Sequence, residues 1–130
     1  MKYYIEKTLK TDFESACSKA KEALQEEGFG VLSEIDIHEK IKEKLNVDFR
    51  KYKIMGACNP SLAYQALQKE DKIGTMLPCN VVVQQLGDNS VEVAAVDPFA
   101  SMQAVENEEL IELAKVVKKK LENVINGIIT

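Results

Sequence analysis

The most constraining feature of the sequence is a pair of alternating segments separated by a tight turn. Leu77 to Leu86 and Val91 to Asp97 alternate apolar and polar side chains, as half-buried strands do. Between them, Gly87-Asp88-Asn89-Ser90 consists of residue types that accept turn geometry. The sequence therefore predicts an antiparallel hairpin, and with it a sheet that is at least partly antiparallel.

Three further segments have strand character: Lys2 to Leu9, Phe29 to Ile37 and Lys51 to Cys58. Each contains β-branched or aromatic residues in an alternating pattern, and the sheet is therefore predicted to contain five strands. In the last of these segments, the predicted core-facing side chains are Tyr52, Ile54, Gly56 and Cys58.

Helices are predicted between these strands and after them. Thr11 and Glu14 have the spacing of a capping box at the start of a helix over 12–27, which Gly28 ends. Asn59 and Pro60 suit the N-cap and first position of a second helix. A short charged helix is expected over 39–45, and apolar residues spaced by three and four predict a long one over 107–125.

The order of elements indicates the fold class. One strand, one helix, four strands with short helices in their connections and a final long helix fit an α+β sandwich of two layers. We expect a mostly antiparallel five-stranded sheet, with the helices on one face. No linker, repeat or low-complexity tract divides the sequence, so residues 1–130 are predicted to form a single domain.

Charge and composition narrow the classes of function. The chain of 130 residues carries 17 basic and 21 acidic side chains, a net charge of −4, which argues against a nucleic-acid partner. No apolar run approaches the roughly 18 residues of a membrane span, and charge returns too early after Met1 for a secretory signal. Three widely spaced cysteines favour a reducing cytoplasm over a disulfide scaffold.

The usual catalytic and cofactor motifs do not occur in the sequence. It lacks a Cys-x-x-Cys or His-x-x-x-His pair for zinc, a phosphate-binding glycine loop and a Gly-x-Ser-x-Gly elbow. His38 is the single histidine, and Asp97, as a general acid or base, has no recognisable second group. We therefore expect no cofactor and no metal, and we favour a protein that is not an enzyme.

Two short motifs contain the distinctive chemistry. Cys58-Asn59-Pro60 ends one predicted strand, and Pro78-Cys79-Asn80 begins the next. If these strands pair antiparallel, the two cysteines lie near each other at one sheet edge, and we expect them in the same core-facing phase. Cys58 precedes a helix start, which favours a thiolate.

The cysteines leave several alternatives open. They could form a redox pair, a nucleophile, or a soft-metal site completed by Met55 or Met76. They could equally be packing residues, because a free cysteine behaves as a small and commonly buried hydrophobe. Cys17, on the apolar stripe of its helix, is expected in the core.

These motifs resemble the domain-of-unknown-function family 302, most clearly over residues 52–98. The resemblance implies a strand-helix-four-strand-helix fold grouped with the TATA-binding-protein-like folds, without implying DNA binding. It implies no activity, because the family is named for lacking an established one. The residues carried over from the family pattern, here called the motif residues, are Gly56, Cys58, Asn59, Pro60, Gly74, Leu77, Pro78, Cys79, Asn80, Asp97 and Pro98.

A second candidate surface lies on the sheet face predicted to lack helices. Apolar side chains there are surrounded by charged ones, a pattern that a subunit interface or a ligand platform needs. Scattered exposed aliphatic residues would give the same pattern. We expect a homodimer through this face, whose candidate interface residues are Leu32, Met55, Val82 and Val96.

The function predicted from the sequence is a small cytoplasmic ligand-binding or assembly module with a cleft at the two cysteine motifs. The ligand would be a small apolar molecule, or an anion held by the helix-start N–H groups after Asn59. The alternative is a thiol-based redox, sulfur-handling or soft-metal protein. The candidate ligand-binding residues are Gly56, Cys58, Asn59, Pro60, Pro78, Cys79, Asn80 and Asp97.

Overall fold

The computed structural model describes residues 2–129 and contains five strands and five α-helices in that range. In chain order these are β1 (Tyr4–Leu9), α1 (Phe13–Glu26), β2 (Gly30–Asp36), α2 (Ile37–Leu45), β3 (Tyr52–Cys58), α3 (Pro60–Lys69), β4 (Cys79–Gly87), β5 (Ser90–Val96), α4 (Pro98–Ser101) and α5 (Glu108–Gly127). Two 3-10 segments, Asp71–Met76 and Met102–Ala104, follow α3 and α4.

The five strands form one sheet in the order β1-β5-β4-β3-β2, and every neighbouring pair is antiparallel. The predicted hairpin is confirmed as β4 and β5. Asn89 in its turn adopts a φ of 57°, a left-handed conformation that asparagine tolerates better than most residues. Because β1 returns beside β5, the hairpin occupies the middle of the sheet.

The helices lie on one face of the sheet, as the sequence predicts. Both α1 and α5 contact β5, and they also pack against each other. Their buried side chains, among them Leu24 of α1 and Leu121 of α5, cover Val81, Val83 and other buried residues of the strands. The α+β two-layer class and its element order are therefore confirmed.

The two ends of α1 differ in how well they were predicted. The N-cap is Asp12, whose Oδ2 accepts from the Ser15 N–H at 3.3 Å, so the capping box at Thr11 is wrong by one residue. Aspartate and threonine are both good N-cap residues. Because Thr11 and Asp12 are adjacent, the sequence alone did not decide which of them caps the helix. At the other end Gly28 has a φ of 83° and closes a Schellman motif, as expected.

The predicted phase of β3 is wrong. Met55 pairs with Val81 and is fully buried beneath the helices, together with Ala57. Met55 therefore cannot belong to an interface on the open face, and Tyr52 and Ile54 lie on that face instead. Both phases of this strand contain apolar side chains, so the pattern alone did not decide the orientation, whereas pairing with the buried phase of β4 does.

A bulge in β2 changes a second set of predicted positions. The pairing shifts between Val31 and Ser33, so that Leu32 is the extra residue and is 69% exposed. Beyond the bulge Glu34 lies on the helix side, where it pairs with Lys21 at 2.9 Å and Lys53 at 3.1 Å. The sequence pattern places Glu34 and Lys53 among the charged residues around the open-face patch, and both lie on the opposite face.

Candidate functional site

A mostly apolar cavity lies at one end of the sheet, where β3 ends and β4 begins. It has a volume of about 310 Å³ and opens to solvent between the sheet end, α3 and the first half of α5. Apolar side chains dominate its lining. The lining residues are Phe29, Leu32, Ala57, Cys58, Asn59, Leu62, Ala63, Ala66, Leu67, Gly74, Leu77, Pro78, Cys79, Pro98, Met102, Leu110, Leu113, Ala114 and Val117.

Asn59 determines where α3 begins and how it attaches to the helix layer. Its Oδ1 accepts from the Leu62 N–H at 3.3 Å, and its Nδ2 donates to the Glu27 carbonyl oxygen at 3.4 Å. Pro60 occupies the first helical position, where its missing N–H costs nothing. The predicted N-cap and helix start are therefore confirmed, and the capping side chain also binds the C-terminal end of α1.

A second asparagine secures the opposite end of α3. Asn107 is the N-cap of α5, accepting from the Glu109 and Leu110 N–H groups at 3.1 and 3.2 Å. Its Nδ2 donates to the carbonyl oxygen of Lys69, the last residue of α3, at 3.0 Å. Both ends of the helix that borders the cavity are thus held by asparagine side chains.

The two cysteines of the motifs line the cavity but are not in the same phase of the sheet. Cys79 pairs with Ala57 in the core-facing phase, and Cys58 is the next residue along β3, in the opposite phase. The expectation of a shared phase is wrong because it rested on the misassigned orientation of β3. Cβ atoms in opposite phases point apart, so a disulfide between these residues would need the backbone to move.

The environments of the two thiols differ. Cys79 is 7% exposed, and burial, with a smaller contribution from the charge of the nearby Cys58, raises the pKa of its thiol to about 11. Cys79 is therefore a neutral thiol at physiological pH. Cys58 is only half-buried and lies immediately before Asn59, at the N-terminal end of α3. A ligand in the cavity would contact the Cys58 thiol more readily.

The structure brings most of the motif residues to this cavity. Four of the eight candidate ligand-binding residues line it: Cys58, Asn59, Pro78 and Cys79. Three more motif residues join them, namely Gly74, Leu77 and Pro98. The remaining motif residues, Gly56, Pro60, Asn80 and Asp97, lie outside the lining.

Gly56 shapes the cavity from outside. A Cβ at this position would lie 2.5 Å from Ser33 Oγ and 2.7 Å from Pro78 Cγ, closer than real side chains approach. Glycine therefore lets the ring of Pro78 lie directly against β3; the peptide bond between Leu77 and Pro78 is cis. Asn80 pairs with Gly56 and lines a depression on the open sheet face.

Asp97 has a structural role. It is buried and caps α4, with Oδ1 accepting from the Ala100 N–H at 3.1 Å. Its Oδ2 pairs with Lys118 Nζ of α5 at 3.1 Å. The carboxylate is thus committed to two partners, and the residue beside it, Pro98, reaches the cavity instead.

Sequence reasoning missed the part of the cavity that α5 contributes. The sequence pattern makes Leu110, Leu113 and Val117 part of one apolar stripe, and Leu110 and Leu113 are indeed buried. In the structure the sheet lies under the second half of the helix, with Leu121 and Val124, while the first half faces α3 across the cavity. The apolar spacing carries no signal that separates the two halves, because both bury the same kind of side chain.

The open sheet face carries a second depression, of about 380 Å³. Val82 and Val96 of the predicted interface lie in it, with Ala94, whereas Leu32 lies at the other cavity and Met55 in the core. The three tyrosines Tyr3, Tyr4 and Tyr52, with Gln84 and Glu92, complete its border.

His38 lies away from the cavity. Its Nδ1 accepts from the Tyr52 N–H at 3.0 Å, which links α2 to β3. Within residues 2–129, no group of three or more His, Cys, Asp or Glu side chains is arranged to hold a metal ion. No helix in that range is both long and apolar enough to cross a membrane.

Comparison with known proteins places these features in a family. The model of a family described as "Domain of unknown function DUF302" matches residues 5–128. A crystal structure of an uncharacterized conserved protein DUF302 from Bacillus stearothermophilus has the same fold, with a TM-score of 0.91 and 26% sequence identity. That similarity covers 98% of this chain and 99% of the other. No curated protein matches the chain.

Proposed function

The chain belongs to the DUF302 family, and from that premise we propose that it is a small binding protein whose ligand occupies the cavity beside α3. One observation carries the proposal: seven of the eleven motif residues line this cavity, although they come from segments on both sides of α3 and from the end of β5. A packing role alone would not require them to meet at an open cavity.

The size and chemistry of the cavity support the same conclusion. Ligand pockets have volumes of roughly 300–1,000 Å³ and are mostly apolar with a few polar groups. This cavity, at about 310 Å³, has the single amide of Asn59 and the thiols of Cys58 and Cys79 among apolar side chains. Leaving that surface in contact with water costs free energy, about 25 cal/mol for each Å². A ligand that excludes the water would recover it.

Ala63→Phe tests the proposal because Ala63 lines the cavity from α3 and is half-buried, so a larger side chain would fill the cavity without entering the core. Gln65→Phe is the matched control, since Gln65 is exposed on the same helix and outside the lining. Native mass spectrometry of the purified proteins should show a bound molecule on the wild type and on the control. Its absence from the wild type, or its presence on Ala63→Phe, contradicts the proposal.

A thiol-based function is the second candidate, and the position of Cys58 favours it. This thiol is half-buried on the cavity surface, immediately before the start of α3, where a molecule in the cavity can reach it. In this second candidate function, Cys58 is a nucleophile toward a molecule in the cavity, and Cys79 is a packing residue. The opposite phases of the two cysteines weigh against a redox pair.

We also propose that two copies associate through the open sheet face. No described helix covers this face, and Val82, Ala94 and Val96 form an apolar centre there with tyrosines around it. Tyrosine is enriched in protein interfaces because it combines a large apolar ring with a polar hydroxyl. The three free cysteines agree with a reducing cytoplasm as the compartment of this homodimer.

A further inference from the structure

We infer that the ligand of this cavity is an uncharged, hydrocarbon-like molecule about the size of two fused aromatic rings. The inference rests on the proposed binding function and specifies its ligand class. It replaces the broader expectation of an apolar or anionic ligand with a single alternative.

The residues of the cavity lining limit the charge that a ligand can carry. Of the described residues that line the cavity, none is Asp, Glu, Lys, Arg or His. Next to the lining residue Pro98, the buried carboxylate of Asp97 is already paired with Lys118 at 3.1 Å. A charged ligand would therefore lose its hydration without gaining an ionic partner, and burying an unpaired charge is strongly unfavourable.

The start of α3 is the place where the sequence predicts a bound anion. Pro60 has no N–H, the Leu62 N–H donates to Asn59 Oδ1, and the Ala63 N–H donates to the Asn59 carbonyl oxygen at 2.9 Å. Within the first turn this leaves the Ser61 N–H, and a single amide cannot cradle an anion as a free helix start does. The helix start is already satisfied by its own cap.

The remaining polar groups of the lining offer few hydrogen bonds to a ligand. Both ends of the Asn59 amide are engaged, with Leu62 and with Glu27, so little hydrogen-bonding capacity points into the cavity. The Cys79 thiol stays protonated at neutral pH, since burial raises its pKa to about 11. The cavity therefore offers contact area rather than directional bonds, which suits a molecule with few polar atoms.

The volume of the cavity indicates the size of the ligand. An apolar cavity of about 150 Å³ holds one benzene molecule. The cavity here, at about 310 Å³, has twice that volume. A molecule of two fused rings, or an aliphatic molecule of the same bulk, fills it.

Two fluorescent probes that differ by one charged group test the inference. 1-Aminonaphthalene is uncharged at neutral pH, and 5-aminonaphthalene-1-sulfonate has the same two fused rings with an added sulfonate. Titration of the wild-type protein at neutral pH should give a Kd at least tenfold lower for the neutral probe. Ala63→Phe should weaken binding of the neutral probe at least tenfold, and Gln65→Phe should leave it within twofold.

Leu67→Lys provides a second variant that does not depend on filling the cavity. Leu67 lines the cavity and is 43% exposed, so a lysine there can keep its ammonium group at the mouth of the cavity. It should weaken the neutral probe and tighten the sulfonate, and thus reverse the preference.

The outcomes separate this inference from the proposed function. Equal or tighter binding of the sulfonate by the wild type, with both probes lost in Ala63→Phe, overturns the ligand class and leaves the binding function standing. The same holds if Leu67→Lys leaves the sulfonate affinity unchanged. Absence of binding of either probe, or binding that Ala63→Phe does not weaken, overturns the cavity as a binding site and both proposals with it.

Discussion

The side chain of Asn59 donates a hydrogen bond from Nδ2 to the carbonyl oxygen of Glu27 at 3.4 Å, and thereby joins the start of α3 to the end of α1. The carboxylate of Glu27 in turn accepts from Asn123 Nδ2 of α5 at 3.2 Å. Glu27 therefore connects α1, α3 and α5. The presence of Asn59 among the motif residues therefore has a structural explanation that is independent of any ligand.

We expect Asn59→Ala to lower the free energy of unfolding by about 1–2 kcal/mol, because it removes the N-cap of α3 together with the bond to Glu27. Asn59→Asp keeps the capping oxygen and loses only the donor, so its loss should be smaller. Urea denaturation of the two variants measures the difference. Equal stability of both variants and the wild type would show that neither bond matters.

Replacing Gly56 by alanine should destabilise the protein by about 1–3 kcal/mol, a range typical of overpacking. The new Cβ would lie 2.5 Å from Ser33 Oγ and 2.7 Å from the Pro78 ring. Gly30→Ala is the matched control, because nothing lies within 4 Å of its Cβ position, and it should change stability by less than about 0.5 kcal/mol. Thermal melting of both variants checks the contrast, and similar losses would contradict it.

The stability of the protein should fall as the pH rises from about 9 to about 11. Burial raises the pKa of Cys79 and of Cys17 to about 11 in the folded state, above the ordinary value that the unfolded chain has. Each buried neutral thiol therefore contributes its full stabilisation below the pKa that the cysteine has in the unfolded chain. This stabilisation is lost as the pH rises through the pKa of the thiol in the folded state. Between pH 8 and pH 10.5, the free energy of unfolding of Cys79→Ala should fall by about 2 kcal/mol less than that of the wild type. Urea denaturation at the two pH values measures this difference. An identical slope in the variant would be evidence against the assignment.

Alkylation should distinguish the three cysteines in the native protein. Iodoacetamide should label Cys58 without unfolding, because this thiol is half-buried at the cavity, while Cys17 and Cys79 are buried. Labelling rates of the Cys58→Ser and Cys79→Ser variants, measured against pH, assign the reactive thiol and its pKa. A Cys58 pKa below the roughly 8.5 of free cysteine would favour the nucleophile, and resistance to labelling until unfolding would exclude it.

Val82→Glu should convert a homodimer into a monomer. Val82 lies in the centre of the open sheet face, where association would bury the introduced charge without a partner. Tyr64→Glu, at an exposed position of α3, is the control and should leave association unchanged. Sedimentation at micromolar concentration measures both variants. A monomeric wild type would contradict the dimer, as would a dimer that tolerates Val82→Glu.

Alternation and turn chemistry were sufficient for the hairpin and for the one-sided helix layer, because each of those signals is local. They failed at β3, where Met55 and Ala57 in one phase are as apolar as Ile54 and Cys58 in the other. Pairing with the buried Val81 decides that orientation, and pairing is a contact between distant parts of the chain. The extra residue Leu32 in β2 changes the face of the sheet on which the following side chains lie. This change too depends on pairing with a distant strand and not on the local pattern.

The cavity was predictable only in part. The two cysteine motifs indicated that the end of β3 and the start of β4 matter, and both line the cavity. The contribution of α5 was not visible, because a side chain that faces a cavity and one that faces a sheet look alike in a helical stripe. Asp97 was misleading for the opposite reason: its carboxylate serves a helix cap and an ion pair, while the neighbouring Pro98 reaches the cavity.

The asparagine anchors at both ends of α3 have a consequence for how molecules enter and leave. Among the described residues of this helix, Ala66 alone is buried, so the helix contributes few side chains to the core, and hydrogen bonds from Asn59 and Asn107 help to hold its two ends. Breaking those bonds requires far less free energy than global unfolding. Amide hydrogens of α3 should therefore exchange by local opening while those of β4 and β5 remain protected, and the frequency of that opening would limit the rate of ligand exchange.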